Sequence, residues 1–253
     1  MSSAQPRNIK GQWGIVSKSP GQKKPNPLPP TQIKDKASKI EAKSFAEIQA
    51  LFITRFGRPP SIGLDLDGTM ADTTAGLRKT VVAARNYPST ELVDKALLPE
   101  PNTYWAYYEG EGAWFSDKKE FLQHFLAAEK GGIYLDLPIY DGAKATIDQL
   151  KSAGFNITAI TARHNSYDED TLHWVNKHAI PVEKIIHSGE DKHLVPDIDI
   201  FIDDAPHVLQ SLIDNGRKVI IYDQEYNRHI AGPRITEWSA EAILPVLEQI
   251  IEE

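Results

Sequence analysis

Two aspartates, Asp65 and Asp67, close the apolar run of SIGLDLDGTMADT (61–73), and Gly68 and Thr69 follow at once. Carboxylates this close repel each other unless a cation sits between them, one keeps a proton, or both face water. Three further groups have the same placement. Thr161, Ala162 and Arg163 end the run FNITAITA (155–162), Lys192 follows KIIHSG (184–189), and Asp203-Asp204 end DIFIDD (199–204). The set offers four carboxylates, a hydroxyl and an ammonium. Mg²⁺ prefers oxygen ligands in octahedral geometry and keeps several waters, so three carboxylates around it resolve the repulsion. Thr161 and Lys192 could then grip an anionic group, for which phosphate is the natural candidate.

Converging these groups requires strands that point the same way. IGLDLD (62–67), FNITAITA, KIIHSG, DIFIDD and KVIIYD (218–223) each read as a buried strand. Amphipathic helices are expected between them at 141–154, 169–180 and 207–216, with a closing helix at 239–253 that contains Pro245. A further helix over 44–56 opens on Ser-x-x-Glu, a capping-box pattern. Apolar strands alternating with helices predict an α/β fold, a Rossmann-like parallel sheet covered on both faces. Ligands in such sheets bind at the carboxyl ends of the strands.

One interval is too long. A strand-helix-strand unit needs about 30 residues, yet positions 68–154 separate the first two strands. Residues 72–138 therefore read as a small helical cap over the first strand's end, with the core formed by 44–71 and 139–253. The cap holds a dense aromatic stretch that includes Tyr104, Trp105, Tyr107, Tyr108, Trp114, Phe115, Phe121 and Phe125. These either fill the cap's own core or offer ring faces on which a nucleobase could stack. Tyr104, Trp105, Tyr108, Trp114 and Phe115 are the substrate-contact candidates.

Other chemistries lack their motifs. The Asp65-x-Asp67-x-Thr69 start resembles a calcium loop, but the required Gly falls at Met70 and the closing Glu at Gly76. Neither G-x-x-x-x-G-K-[ST] nor G-x-G-x-x-G occurs, and no H-E-x-x-H appears among the eight histidines. With no cysteine, disulfides, thiolate metal sites and a cysteine nucleophile are excluded.

The series DLDGT (65–69), TAR (161–163), Lys192 and IDDAP (202–206), in order and each at a strand end, resembles the haloacid dehalogenase superfamily of phosphohydrolases over roughly 60–230. That resemblance implies an aspartyl-phosphate mechanism. Asp65 would attack phosphorus, and Asp67 would protonate the leaving oxygen and then activate water. Mg²⁺ would be held by the Asp65 carboxylate, the Asp67 backbone carbonyl and Asp203, with Asp204 orienting a metal-bound water. Thr161, Ala162 and Lys192 would bind the phosphate. Members that cleave carbon–halogen bonds lack an acid/base two residues after the nucleophile, so Asp67 favours phosphoryl transfer to water.

YDQEYNRHIAGPRITEW (222–238) is in turn similar to the matching stretch of the 5'(3')-deoxyribonucleotidase family, through Tyr226-Asn227-Arg228 and Trp238. The implied substrates are (deoxy)nucleoside monophosphates. TARHNSYDEDTLHWVNKHAI (161–180) also resembles a segment of polynucleotide 3'-phosphatases, which would act on nucleic-acid ends. A third possibility is a binding or assembly protein on a retired phosphatase core.

Charge divides the chain. The net charge is −7, but residues 1–44 carry +7 and the remainder −14. An acidic body argues against broad duplex binding, while the basic tail leaves a nucleic-acid contact open. SPGQKKPNPLPP (19–30) has five prolines and little to bury, so 1–43 is expected to be an extended or disordered tail with Trp13 as its one anchor. No secretory h-region and no apolar run of about 18 residues is present, which predicts a cytoplasmic protein without a membrane span.

Overall fold

The computed structural model describes residues 43–87, 97–104 and 106–252. The expectations for the basic tail and for Trp105 fall outside those residues.

Six parallel strands form one sheet in the order β3-β2-β1-β4-β5-β6. They are β1 (Ser61–Leu64), β2 (Asn156–Thr161), β3 (Lys184–His187), β4 (Ile200–Asp203), β5 (Lys218–Tyr222) and the two-residue β6 (Arg234–Ile235). Leu64 lies opposite Ala159 on one side and Ile202 on the other. The chain winds outward from β1 through β2 to β3, then crosses back to β4 and winds the other way. The direction of winding reverses between β1 and β4, which opens a crevice at their carboxyl ends.

Side chains alternate between two apolar layers. Ile200, Ile202, Ile220 and Tyr222 face one, and Phe201, Val219 and Ile221 face the other. The helices that cover them are α1 (Phe45–Phe56), α2 (Thr73–Arg85), α3 (Lys118–Lys130), α4 (Ala143–Ser152), α5 (Asp168–Lys177), α6 (Pro206–Asp214) and α7 (Ala240–Glu252). Ser44 and Glu47 form the expected capping box of α1, which packs on α7. Pro245 lies inside α7. Among the described residues no helix is long and apolar enough to cross a membrane.

The first strand is shorter than expected. The Asp65 amide still donates to Ile202 O at 3.0 Å, but the Met70 and Ala71 amides both donate to Leu66 O. That local turn takes Leu66 and Asp67 out of the ladder. The chain leaves the sheet at 71–72 and returns at 138–140, where Asp72 N donates to Pro138 O and Tyr140 N to Met70 O. Between these points lie α2 and α3. Leu77, Val81 and Phe121 pack in one apolar cluster with Ile62 and Leu64 of the sheet.

Candidate active site

Asp65 follows β1 and Asp203 ends β4, so the two neighbouring strands deliver both carboxylates into the crevice between them. Lys192, in a short 3₁₀ turn after β3, reaches across to them. Its Nζ donates to Asp65 Oδ1 at 2.5 Å and to Asp203 Oδ2 at 2.7 Å. All three side chains are buried, Lys192 to 2% exposure. Burial works against the ammonium, but Asp203 and Asp65 more than offset it, and the lysine is pushed above its ordinary range.

Asp204 completes the cluster from the residue after β4. Its Oδ1 accepts from Thr69 Oγ1 at 2.6 Å and its Oδ2 from the Tyr226 hydroxyl at 2.5 Å. Gly68 makes this approach possible. It sits at φ +80°, and a Cβ there would lie 2.4 Å from Asp204 Oδ2. The backbone of this turn is gripped from the C-terminal segment, where Gln224 Nε2 donates to Gly68 O at 2.7 Å and Trp238 Nε1 to Thr69 O at 2.9 Å. Asn227 Nδ2 donates to Asp204 O and to Tyr222 O, both at 2.8 Å.

Carboxylate oxygens of Asp65, Asp203 and Asp204 lie within 4.8 Å of one another. Among the described residues Lys192 is the one cation paired with them, so two negative charges remain uncompensated in a low-dielectric space. Crowding and burial raise the proton affinity of two of the three. Burial pushes Asp65 well above the ordinary carboxylate range despite Lys192, with Asp203 and Asp204 adding to it. Burial and then Asp203 push Asp204 up to about 7. An all-oxygen donor set with two charges in excess fits a hard divalent cation of the Mg²⁺ type.

The Asp67 carboxylate is not in this cluster. It is turned to Arg163, which donates from Nε to Oδ2 at 2.7 Å and from Nη2 to Oδ1 at 2.8 Å, while Thr73 Oγ1 donates to Oδ1 at 3.0 Å. Arg163 is itself buried. Its guanidinium lies 4.2 Å from the Tyr134 ring centre and 5.8 Å from that of Trp174. The sequence displays Arg163 within TAR but does not say that it meets Asp67, 96 residues away. Thr161 is fully buried at the end of β2, and its Oγ1 accepts from the Arg163 amide at 3.1 Å.

A cavity of about 430 Å³ opens beside these groups, lined by Asp67, Gly68, Ala162, Arg163 and Asp204 on the core side. Tyr104 lines it and packs edge-on to Tyr226 at 5.6 Å. Three other aromatic candidates lie in or against the apolar cluster and off the cavity wall. Trp114 is buried, donates its indole N–H to Pro99 O and lies under Arg78. Phe115 is buried against Phe121 and His124. Tyr108 packs on Phe121 and does not line the cavity. The opposite wall is formed by Tyr107, Phe121, Leu122, Phe125, Glu129 and Tyr134. Phe121, Leu122, Phe125 and Glu129 share one face of α3 at helical spacing, a signal available in the sequence.

A profile of the family described as "5' nucleotidase, deoxy (Pyrimidine), cytosolic type C protein" matches residues 59–249. Among curated proteins, the chain is similar to a candidate nucleotidase of Oceanobacillus iheyensis, 34% identical over 113 residues. The match covers 42% of this chain and 60% of that protein. A candidate nucleotidase of Bacillus cereus is 33% identical over 104 residues, covering 38% of this chain and 55% of that one. The chain therefore spans less than two thirds of the length of either relative. Among solved structures, a haloacid dehalogenase-like hydrolase from Streptococcus pneumoniae superposes with a TM-score of 0.49 at 14% identity. It covers 74% of this chain and 97% of its own, a likeness too distant to carry weight.

Proposed function

The chain belongs to the 5' nucleotidase, deoxy (pyrimidine), cytosolic type C family, and on that premise we propose that it hydrolyses (deoxy)nucleoside monophosphates through an aspartyl-phosphate on Asp65. The observation that carries this reading is the buried Asp65–Lys192–Asp203 arrangement, whose sequence neighbours Asp67 and Asp204 line an aromatic-walled cavity. A carboxylate nucleophile, a cation to receive phosphate charge and a slot for a flat leaving group share one site.

Asp65 Oδ2 is the freer oxygen for attack, since Oδ1 is held by Lys192 and, among the described residues, Oδ2 accepts only a long 3.4 Å bond from Thr69. Its lone pair forms the new O–P bond while the ester O–P bond breaks. Asp67 must enter this step as the carboxylic acid, turned from Arg163, and gives that proton to the departing nucleoside oxygen; the proton it takes from water in the second half restores the acid. In the second half, Asp67 takes a proton from water as that water attacks phosphorus, releasing phosphate and restoring Asp65. Lys192 has a third N–H to offer a phosphate oxygen, and the Thr161 hydroxyl and Ala162 backbone stand at the same strand end. Asp65, Asp203 and the Asp67 carbonyl would hold Mg²⁺, with Asp204 beside them. When bound, Mg²⁺ supplies the positive charge that keeps Asp65 ionised and polarises the phosphoryl group.

Arg163 fixes the plane of the Asp67 carboxyl through two bonds, and one of these must yield when Asp67 turns to the leaving oxygen. A lysine there keeps the charge but loses the fork and the stack on Tyr134. Arg163→Lys should lower kcat about 10- to 100-fold with a much smaller change in KM. Steady-state kinetics on a nucleoside monophosphate checks this, and a change confined to KM would contradict it.

The reading as a whole is tested by Mg²⁺-dependent phosphate release from deoxynucleoside 5'- and 3'-monophosphates, ribonucleotides, sugar phosphates and 3'-phosphorylated oligonucleotides. Nucleoside monophosphates should lead. Preference for sugar phosphates over every nucleotide would overturn the nucleotidase reading, and preference for oligonucleotide ends would replace it with an end-processing phosphatase.

A further inference from the structure

Lys192 ties Asp65 to Asp203 but donates nothing to Asp204. Among the described residues the Asp204 carboxylate forms no ion pair and is held by two hydroxyls, Thr69 Oγ1 at 2.6 Å and that of Tyr226 at 2.5 Å. A hydroxyl orients a carboxylate without cancelling its charge, whereas an ammonium or guanidinium would do both. Each carboxylate oxygen also keeps a lone pair after accepting one bond. Asp204 is thus fixed in direction with its charge left for a cation.

The segment that carries Tyr226 is built to hold it there. Tyr226 sits in the 3₁₀ turn Glu225–Asn227. Its neighbour Asn227 donates to the Asp204 backbone carbonyl at 2.8 Å, so consecutive residues grip the side chain and the main chain of one aspartate. The turn is anchored in its own right. Arg234 donates from Nη1 to Asn227 Oδ1 at 2.6 Å and from Nη2 to Ile230 O at 2.8 Å. The ring of Tyr226 has a separate role, lining the cavity edge-on to Tyr104.

From this arrangement we propose that Tyr226 is a positioning residue for the divalent cation, its hydroxyl setting the Asp204 carboxylate in place before the ion arrives. The inference rests on the Mg²⁺ part of the reading above and goes beyond it, because it assigns metal affinity to a residue that is no ligand of the ion. An aspartate already locked in one rotamer loses little further freedom on binding. Without the hydroxyl, the Asp204 side chain can turn, and the ion must hold it alone.

The test titrates the full chain with Mn²⁺, an oxygen-preferring ion like Mg²⁺, and follows the free ion by its electron paramagnetic resonance signal. Tyr226→Phe keeps the ring on Tyr104 and removes only the hydroxyl. It should weaken Mn²⁺ binding about 10- to 100-fold, while the melting temperature in metal-free buffer stays close to that of the wild type. In an Asp204→Asn background the same change should cost less than about 2-fold, since the carboxylate it orients is gone. Unchanged affinity in Tyr226→Phe would overturn the inference. So would an equal loss in both backgrounds, or a variant already unfolded at the titration temperature, which is what a purely structural role predicts. Failure of the wild type to bind Mn²⁺ would instead overturn the metal-dependent reading itself.

Discussion

Asp65→Asn should abolish turnover, lowering kcat by at least about 10⁴-fold, a loss in the range seen when a covalent nucleophile is removed. The amide matches the carboxylate in shape, so packing around β1 is kept. It also removes one of three carboxylates that crowd a buried site, so thermal stability should hold or rise. The amide oxygen is a poor nucleophile and carries no charge with which to form the phosphoryl ester. Phosphate release and a thermal melt on the same preparation check both halves. Wild-type turnover in the variant would exclude Asp65 as the attacking group, and a large fall in melting temperature would mean the loss came from unfolding.

The second large effect is on the cation. Lys192→Met fills similar volume but leaves Asp65 and Asp203 buried without their shared ammonium. Breaking a buried ion pair from one side costs about 3–5 kcal/mol. In a chain of this size that corresponds to a melting temperature lower by about 10 °C. The variant should also turn over phosphate esters poorly, because Lys192 both orients Asp65 and receives phosphate charge. Adding Mg²⁺ should restore part of the stability, since a divalent ion can take over the charge balance among Asp65, Asp203 and Asp204. Calorimetry with and without Mg²⁺ reads this directly. Equal melting temperatures for variant and wild type in metal-free buffer would show that the triad is not held together as its geometry indicates.

Much of this site was legible because its groups stand where apolar runs stop. Asp65, Thr161 and Asp203 each end a run of strand-forming residues, and parallel strands put all such ends on one edge. Proximity of Asp65 and Asp203 then follows from topology, although 138 positions separate them in the numbering. That the chain makes a long excursion from the sheet between β1 and β2 was legible from its length alone. Direction of side chains was not. Asp67 has the spacing of a metal-site residue, yet its carboxylate turns away to Arg163, a partner fixed by tertiary packing against Tyr134 and Trp174. Aromatic content marked the cap but not which rings face inward. Trp114 and Phe115 go to the cluster, and the cavity wall falls to the face of α3 that carries Phe121, Phe125 and Glu129.

The C-terminal segment is the instructive middle case. Tyr226, Asn227 and Trp238 stood out through a family likeness that gave them no physical role. The structure gives them one, because each bonds to Asp204 or to the turn after Asp67. They brace the two loops that carry the carboxylates. β6, only two residues long, is too short for periodicity to reveal, yet it lies just upstream of Trp238.

The central claim is covalent phosphorylation of Asp65, and the most direct measurement is a rapid acid quench during turnover of a ³²P-labelled nucleoside monophosphate, followed by peptide mapping. Label on the peptide carrying Asp65 in the wild type, and none there in Asp65→Asn, is the predicted result. Active turnover with the label trapped on a different residue would contradict it.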